Sequence, residues 1–120
     1  MDLDFRKQKD RKLAIVDKKS TRLVDIEIIS YLECDGYVTS IHINGHETIS
    51  VSKLLKNFEN ELTEYGFLRA NHNTIVNPKH IEDISSTIYG VFLQINKSKI
   101  KVSRRRRYLF KNHPRNENPG

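Results

Sequence analysis

From Lys12 onward, most of the chain falls into short β-branched segments about five to eight residues long, each cut off by a turn residue. They read as strands over residues 12–16, 21–26, 28–33, 37–43 and 46–51, then 67–70, 74–77, 81–85, 88–95 and 98–102. Asn44-Gly45, between two of them, is the strongest short signal for a hairpin turn. Helical spacing governs one stretch, residues 52–65, where Leu54, Leu55, Phe58 and Leu62 share a face and Gly66 stands where a C-terminal cap belongs. A shorter helix is expected from Arg104 to Asn112. The fold expected is therefore mainly β with one or two short helices.

At 120 residues the chain has the size of a single domain with its own core. That domain is expected over residues 12–112, between a flexible N-terminal segment, 1–11, and a flexible Pro/Asn/Gly tail, 113–120. Cys34 is the sole cysteine, so no disulfide forms within the chain. No apolar leader and no run long enough to span a bilayer is present, and the expected location is cytoplasmic, with no membrane partner.

Charge is divided unevenly. Residues 1–66 carry 10 Lys and Arg against 12 Asp and Glu, whereas residues 67–120 carry 11 against 3. Between Asn96 and Asn112 stand eight basic side chains and no acidic one. Ordinary solvated surfaces mix signs, so this stretch reads as the footprint of a polyanion partner. The four arginines Arg104 to Arg107 sharpen the point. With Ser103 as a helix cap they would fill a first turn, where the helix dipole and their mutual repulsion each cost roughly 0.3–1 kcal/mol. Some anion should compensate.

Catalytic and metal chemistry find little support. The glycines Gly36, Gly45, Gly66, Gly90 and Gly120 are scattered, so no phosphate-cradling loop exists. His42 and His46 flank a turn, His72 and His80 lie either side of a strand and a turn, and no second cysteine or suitably spaced carboxylate joins them as metal ligands. The window "NHNTIVNPKH" contains no acid, which a metal-dependent nuclease requires. Glu33 and Asp35 flank Cys34 and disfavour its thiolate. No enzyme, cofactor, metal or small-molecule substrate is expected, and recognition remains. Asn71, His72 and Asn73 form a polar triplet between apolar segments. They suit either direct base readout or simple turn geometry.

Three stretches resemble the LytTR family of DNA-binding domains. "FLRANHNTIVNPKHI" carries Phe67, Arg69, Ile75, Val76, Asn77 and Ile81 of its signature; "IISYLECDGYV" carries Ile29, Tyr31, Glu33, Tyr37 and Val38; "IKVSRRRRYL" carries Ile100, Val102, Ser103, Arg104 and Arg105. Leu54 and Leu55 stand where the family has a Ser-Leu pair. The resemblance spans about residues 12–112 and implies an elongated arrangement of small antiparallel β-sheets, with loops entering successive major grooves of bent DNA. It implies base contacts from the surroundings of Tyr37, from Asn71, His72 and Asn73, and from Arg104. Lys97, Lys99, Lys101, Arg105, Arg106, Arg107 and Lys111 are the expected phosphate contacts.

The triplet departs from the family's His-Arg-Ser, and Thr74 replaces an aromatic, so the central contact has lost a formal charge. Family members commonly carry an N-terminal receiver domain phosphorylated on aspartate in two-component signalling, for which residues 1–11 leave no room. A standalone regulator or an output domain of a longer chain is expected. The partner implied is double-stranded DNA, with a second copy of the chain on repeated half-sites left open. The alternatives are an RNA-binding module stacking bases on Tyr31, Tyr37, Tyr89 and Phe92, and a domain for an acidic protein.

Overall fold

The computed structural model describes residues 11–111; the segments 1–10 and 112–120, where flexible ends are expected, lie outside the described residues. Ten strands form three antiparallel sheets. β1 (Lys12–Val16) and β2 (Thr21–Asp25) make a hairpin. β3 (Ile29–Asp35), β4 (Val38–Ile43), β5 (Glu47–Val51), β6 (Leu68–Asn71) and β7 (Thr74–Val76) make a sheet in the order β5-β4-β3-β7-β6. β8 (Asp83–Thr87), β9 (Gly90–Ile95) and β10 (Ser98–Val102) make the third, in the order β10-β9-β8. Two short α-helices, α1 (Lys56–Glu64) and α2 (Tyr108–Lys111), complete the described residues. Neither is long and apolar enough to cross a membrane.

The five-stranded sheet is the middle layer. On one face Leu32, Ile41 and Ile75 join Leu13, Ile15 and Val24 of the hairpin and Phe58 and Leu62 of α1. On the other, Tyr31, Ala70 and Val76 join Leu93, Ile95, Ile100 and Val102 of the third sheet and Phe110 of α2. This double cover explains why β7 is buried at every position and why β3 begins with four buried residues rather than alternating. Salt bridges tie the layers at their rims. Arg22 grips both oxygens of Glu47 at 2.6 and 3.0 Å. That hydrogen bonding is the main reason the Arg22 pKa is raised and the Glu47 pKa lowered.

Polar residues hold the second interface in register. Asn77, buried, donates through Nδ2 to the Ile29 carbonyl (3.0 Å) and accepts through Oδ1 from the Lys79 amide (3.1 Å). His80 Nε2 lies 2.8 Å from the Glu27 carbonyl, which can only accept, so that nitrogen carries the proton. In the neutral ring Nδ1 then accepts from the Ser30 hydroxyl (3.0 Å), and Asn96 Nδ2 donates to the same hydroxyl (3.3 Å). A continuous chain of hydrogen bonds thus links the β9–β10 turn to β3.

Two helical expectations change. The helix starts at Lys56 rather than Ser52: the chain bends at Ser52 and Lys53, where the Lys53 amide donates to the Val51 carbonyl (2.9 Å) and the Lys53 carbonyl accepts from Thr39 Oγ1 (2.6 Å), and Leu54 is left 43% exposed. Its C-terminus follows the expected cap. Phe67 N donates to Leu62 O (3.1 Å), Gly66 N donates to Thr63 O (3.0 Å), and Gly66 takes φ +92°. Gly66→Ala is expected to destabilise the fold by about 1 kcal/mol, because a Cβ is strained at that φ. A Tm indistinguishable from wild type would contradict it. The closing segment is the second change: Arg104–Arg106 form a 3-10 turn and α-helix begins only at Tyr108.

Candidate nucleic-acid interface

Three connections meet at one end of the molecule. The first joins β3 to β4 through Gly36 and Tyr37, with Asp35 paired to Val38. Gly36 has φ +64°, which glycine supplies without strain, and Tyr37 projects 79% exposed. The second is the β6–β7 hairpin, where Asn71 pairs with Thr74 and His72 and Asn73 form an exposed tip. The third leaves β10 at Val102 and enters the arginine run.

Backbone and side-chain bonds fix these connections to one another. Cys34 N donates to Asn73 O (2.9 Å), joining the first to the second. Ser103 N donates to Ala70 O (2.9 Å), joining the third to the second. The pairing of β6 with β7 shifts register between Arg69 and Asn71, a bulge that frees the Ala70 carbonyl for this role. Asn71 Nδ2 donates to Lys101 O (2.7 Å) while its Oδ1 accepts from Asn73 N (2.8 Å). Both ends of the Asn71 amide are therefore engaged in shaping the tip, whereas His72 and Asn73 are exposed.

Arg69 was legible only as part of a motif, and its work is visible in the geometry. Its Nε donates to Asn71 O (3.0 Å), Nη2 to His72 O (2.7 Å) and Nη1 to Glu59 Oε1 of α1 (2.5 Å). One guanidinium thus clamps the tip and anchors it to the helix. The available signal was a lone arginine within an apolar strand, four residues ahead of the tip's end. The chemistry of a planar fork with donors in three directions suits it.

The arginine run is not the α-helical first turn that its sequence predicts. Arg104–Arg106 form a single 3-10 turn, and α-helix begins only at Tyr108. Ser103 makes no side-chain cap; its hydroxyl accepts instead from Arg106 Nη1 at 3.5 Å. The run is strung between buried anchors, Val102 and Phe110, and so short a turn accumulates little dipole to oppose its cations. Arg104 and Arg105 are exposed, whereas Arg106 and Arg107 are half-buried. Arg107 Nε is shielded from solvent and lacks an acceptor among the described residues. A Cβ placed on Gly90 would lie 3.7 Å from Arg107 Nη2 and 3.8 Å from Lys101 Nζ, so two cations converge there.

The remaining basic side chains spread along β10. Lys99 and Lys101 lie on its outer face, each ammonium 5.9 Å from the Phe92 ring centre. Lys97 sits in the β9–β10 turn at the far end, beside the Asn44-Gly45 turn, separated from Arg104 by the length of β10 at about 3.3 Å per residue. Lys111 is the last residue of α2. The structure therefore gathers Tyr37, His72, Asn73 and Arg104 at one end, with Lys101, Lys99 and Lys97 as a stripe leading away from it along β10.

The aromatic platform expected of an RNA binder is not assembled. Tyr31 is buried, its ring stacked on His42 with centres 4.2 Å apart and its hydroxyl 2.8 Å from Ser98 Oγ. Tyr37 and Tyr89 occupy turns rather than strands. Among the described residues no three His, Cys, Asp or Glu side chains cluster as metal ligands.

Residues 19–114 match the family model of the LytTr DNA-binding domain. Among solved structures the chain is similar to the LytTr DNA-binding domain of a Bacillus cereus protein described as a methyl-accepting/DNA response regulator. The TM-score is 0.69 at 21% identity, over 84% of this chain and 94% of that one. At that identity the likeness concerns the fold. No curated protein matches.

Proposed function

The chain belongs to the LytTR family of DNA-binding domains, and from that premise we propose that it is a sequence-specific regulator that reads the major groove of double-stranded DNA through loops. That it binds DNA and regulates transcription follows from the family. Reading by loops is supported by a single observation: the turn bearing Tyr37, the tip bearing His72 and Asn73, and Arg104 are bonded into one end of the fold. Arg104 suits the O6 and N7 edge of guanine, and neutral His and Asn, which donate and accept, suit mixed edges such as adenine.

Affinity in this reading comes from the cationic stripe. Lys101, Arg105 and Arg106 lie beside the reading loops and meet phosphates, Lys99 and Lys97 meet them further along β10, and Arg107 and Lys111 are the remaining candidates. Like charges gathered at Gly90, in a stretch from residue 84 to 112 that holds no acid, are relieved by an approaching polyanion. This answers the puzzle of the four arginines. The run is held in place by packing, and DNA supplies the counter-charge. A cytoplasmic location and a second copy on adjoining half-sites belong to the same reading.

Selection from a random duplex pool, followed by affinity measurement across a salt series, tests it. With roughly five phosphates neutralised, log affinity should fall against log salt with a slope near −4 to −5. A flat dependence, or recovery of no preferred duplex, would remove the proposal. Stronger binding to single-stranded RNA in direct competition would favour the other nucleic acid.

A further inference from the structure

A fourth connection projects at the same end of the molecule, and it is apolar. β8 and β9 are joined by Ile88 and Tyr89, with Thr87 paired to Gly90, and these two side chains are 92% and 75% exposed. Turn tips in water are ordinarily built from Gly, Asn, Asp, Ser or Pro, each for a conformational reason. A β-branched residue followed by tyrosine has no such reason. The tip is nevertheless well ordered by its own chain. Thr87 Oγ1 accepts from the Tyr89 amide at 3.0 Å, and its hydroxyl reaches the Gly90 carbonyl at 3.5 Å.

Its surroundings indicate what it meets. Val91 pairs with Val102, so the tip stands beside the point where β10 passes into the arginine run. Lys101 and Arg107 converge on Gly90, immediately behind it. No Asp or Glu occurs between residues 84 and 112. Two exposed apolar side chains inside a collar of cations complement a surface with apolar walls between anionic rails, and a duplex groove has that form, sugars and base edges between phosphates.

We propose that the Ile88–Tyr89 tip is a fourth duplex contact, packing on the sugar faces and base edges flanking the sequence that the other three connections read. This rests on the DNA-binding reading above. It adds apolar contact to an interface otherwise built from hydrogen bonds and charge.

The test uses the full chain and the duplex that wild type selects from a random pool. Ile88→Ser combined with Tyr89→Ser should bind that duplex about tenfold more weakly with an unchanged salt slope, since no charge is removed. Hydroxyl-radical cleavage, which reads sugar exposure, should show lost protection at the flank alone. Ile88→Leu should bind as wild type does, and an unaltered Tm separates lost contact from lost fold. If the double variant is unstable, each single serine variant serves. Wild-type affinity together with an unchanged footprint would overturn the proposal. So would a variant that binds DNA normally but fails to support transcription with polymerase, since the tip would then face a protein. If wild type selects no duplex, the functional reading fails first and the tip falls with it.

Discussion

Arg104→Ala is expected to cost about 1–3 kcal/mol at the selected site and to relax base preference at one position. The argument is geometric before it is electrostatic. Arg104 follows Ser103, whose amide is held by the Ala70 carbonyl at 2.9 Å, and precedes a turn closed by Arg107 N on Arg104 O at 3.4 Å. The backbone that carries this side chain is thereby positioned while the guanidinium itself stays exposed. Against guanine it can make two parallel hydrogen bonds, and alanine forfeits both along with the discrimination they carry. Lys99 provides the contrast. It lies on the outer face of β10, away from the reading end, so Lys99→Ala should weaken all duplexes alike and reduce the salt slope by about 1. Measuring both variants against the selected duplex and a scrambled one separates the roles. Two variants with the same profile would show that Arg104 is one more phosphate contact.

How far the sequence reveals such a site depends on how local its causes are. β1 occupies the stretch expected, and β4 and β5 flank Asn44 and Gly45, which take the positive φ values +48° and +77° that their pairing predicts. These follow from neighbours in the chain. The displaced start of α1 does not, because it depends on Thr39, fourteen residues away, taking the Lys53 carbonyl. The arginine run departs from its expected helix for a similar reason. Ser103 is a good cap by type, but its amide is committed to Ala70 and the next residues turn too tightly for an α-helix. Tyr31 stands in a segment that reads as a strand and is a base-stacking candidate in the RNA alternative, yet β3 is covered on both faces and buries it. Nothing in a single strand's sequence announces a second layer.

Arg69 holds the largest effect outside the bases. Arg69→Ala should lower stability by about 2–3 kcal/mol, since it removes charge-assisted hydrogen bonds to two carbonyls and leaves Glu59 without its partner. At about 4–8 °C per kcal/mol for a domain near 100 residues, Tm should fall by roughly 10 °C or more. The more telling loss is in recognition. With the clamp gone, the tip keeps the Asn71-to-Asn73 bond and its ties to Lys101, Ser103 and Cys34. The Asn71 and His72 carbonyls nevertheless lose their donor and the tip loses its anchor on α1, so the backbone that carries His72 is held less tightly relative to Arg104. Preference at the base pairs that the tip reads should then blur, at temperatures where the variant is fully folded, while the salt slope stays near wild type. Arg69→Lys should not restore it, because an ammonium is a compact charge that cannot reproduce donors fixed in three directions. Glu59→Gln should do less damage than either, as it spares both carbonyl bonds. A folded Arg69→Ala variant with an intact selection profile would mean that the tip is held by its backbone alone, and that the guanidinium serves stability without serving recognition.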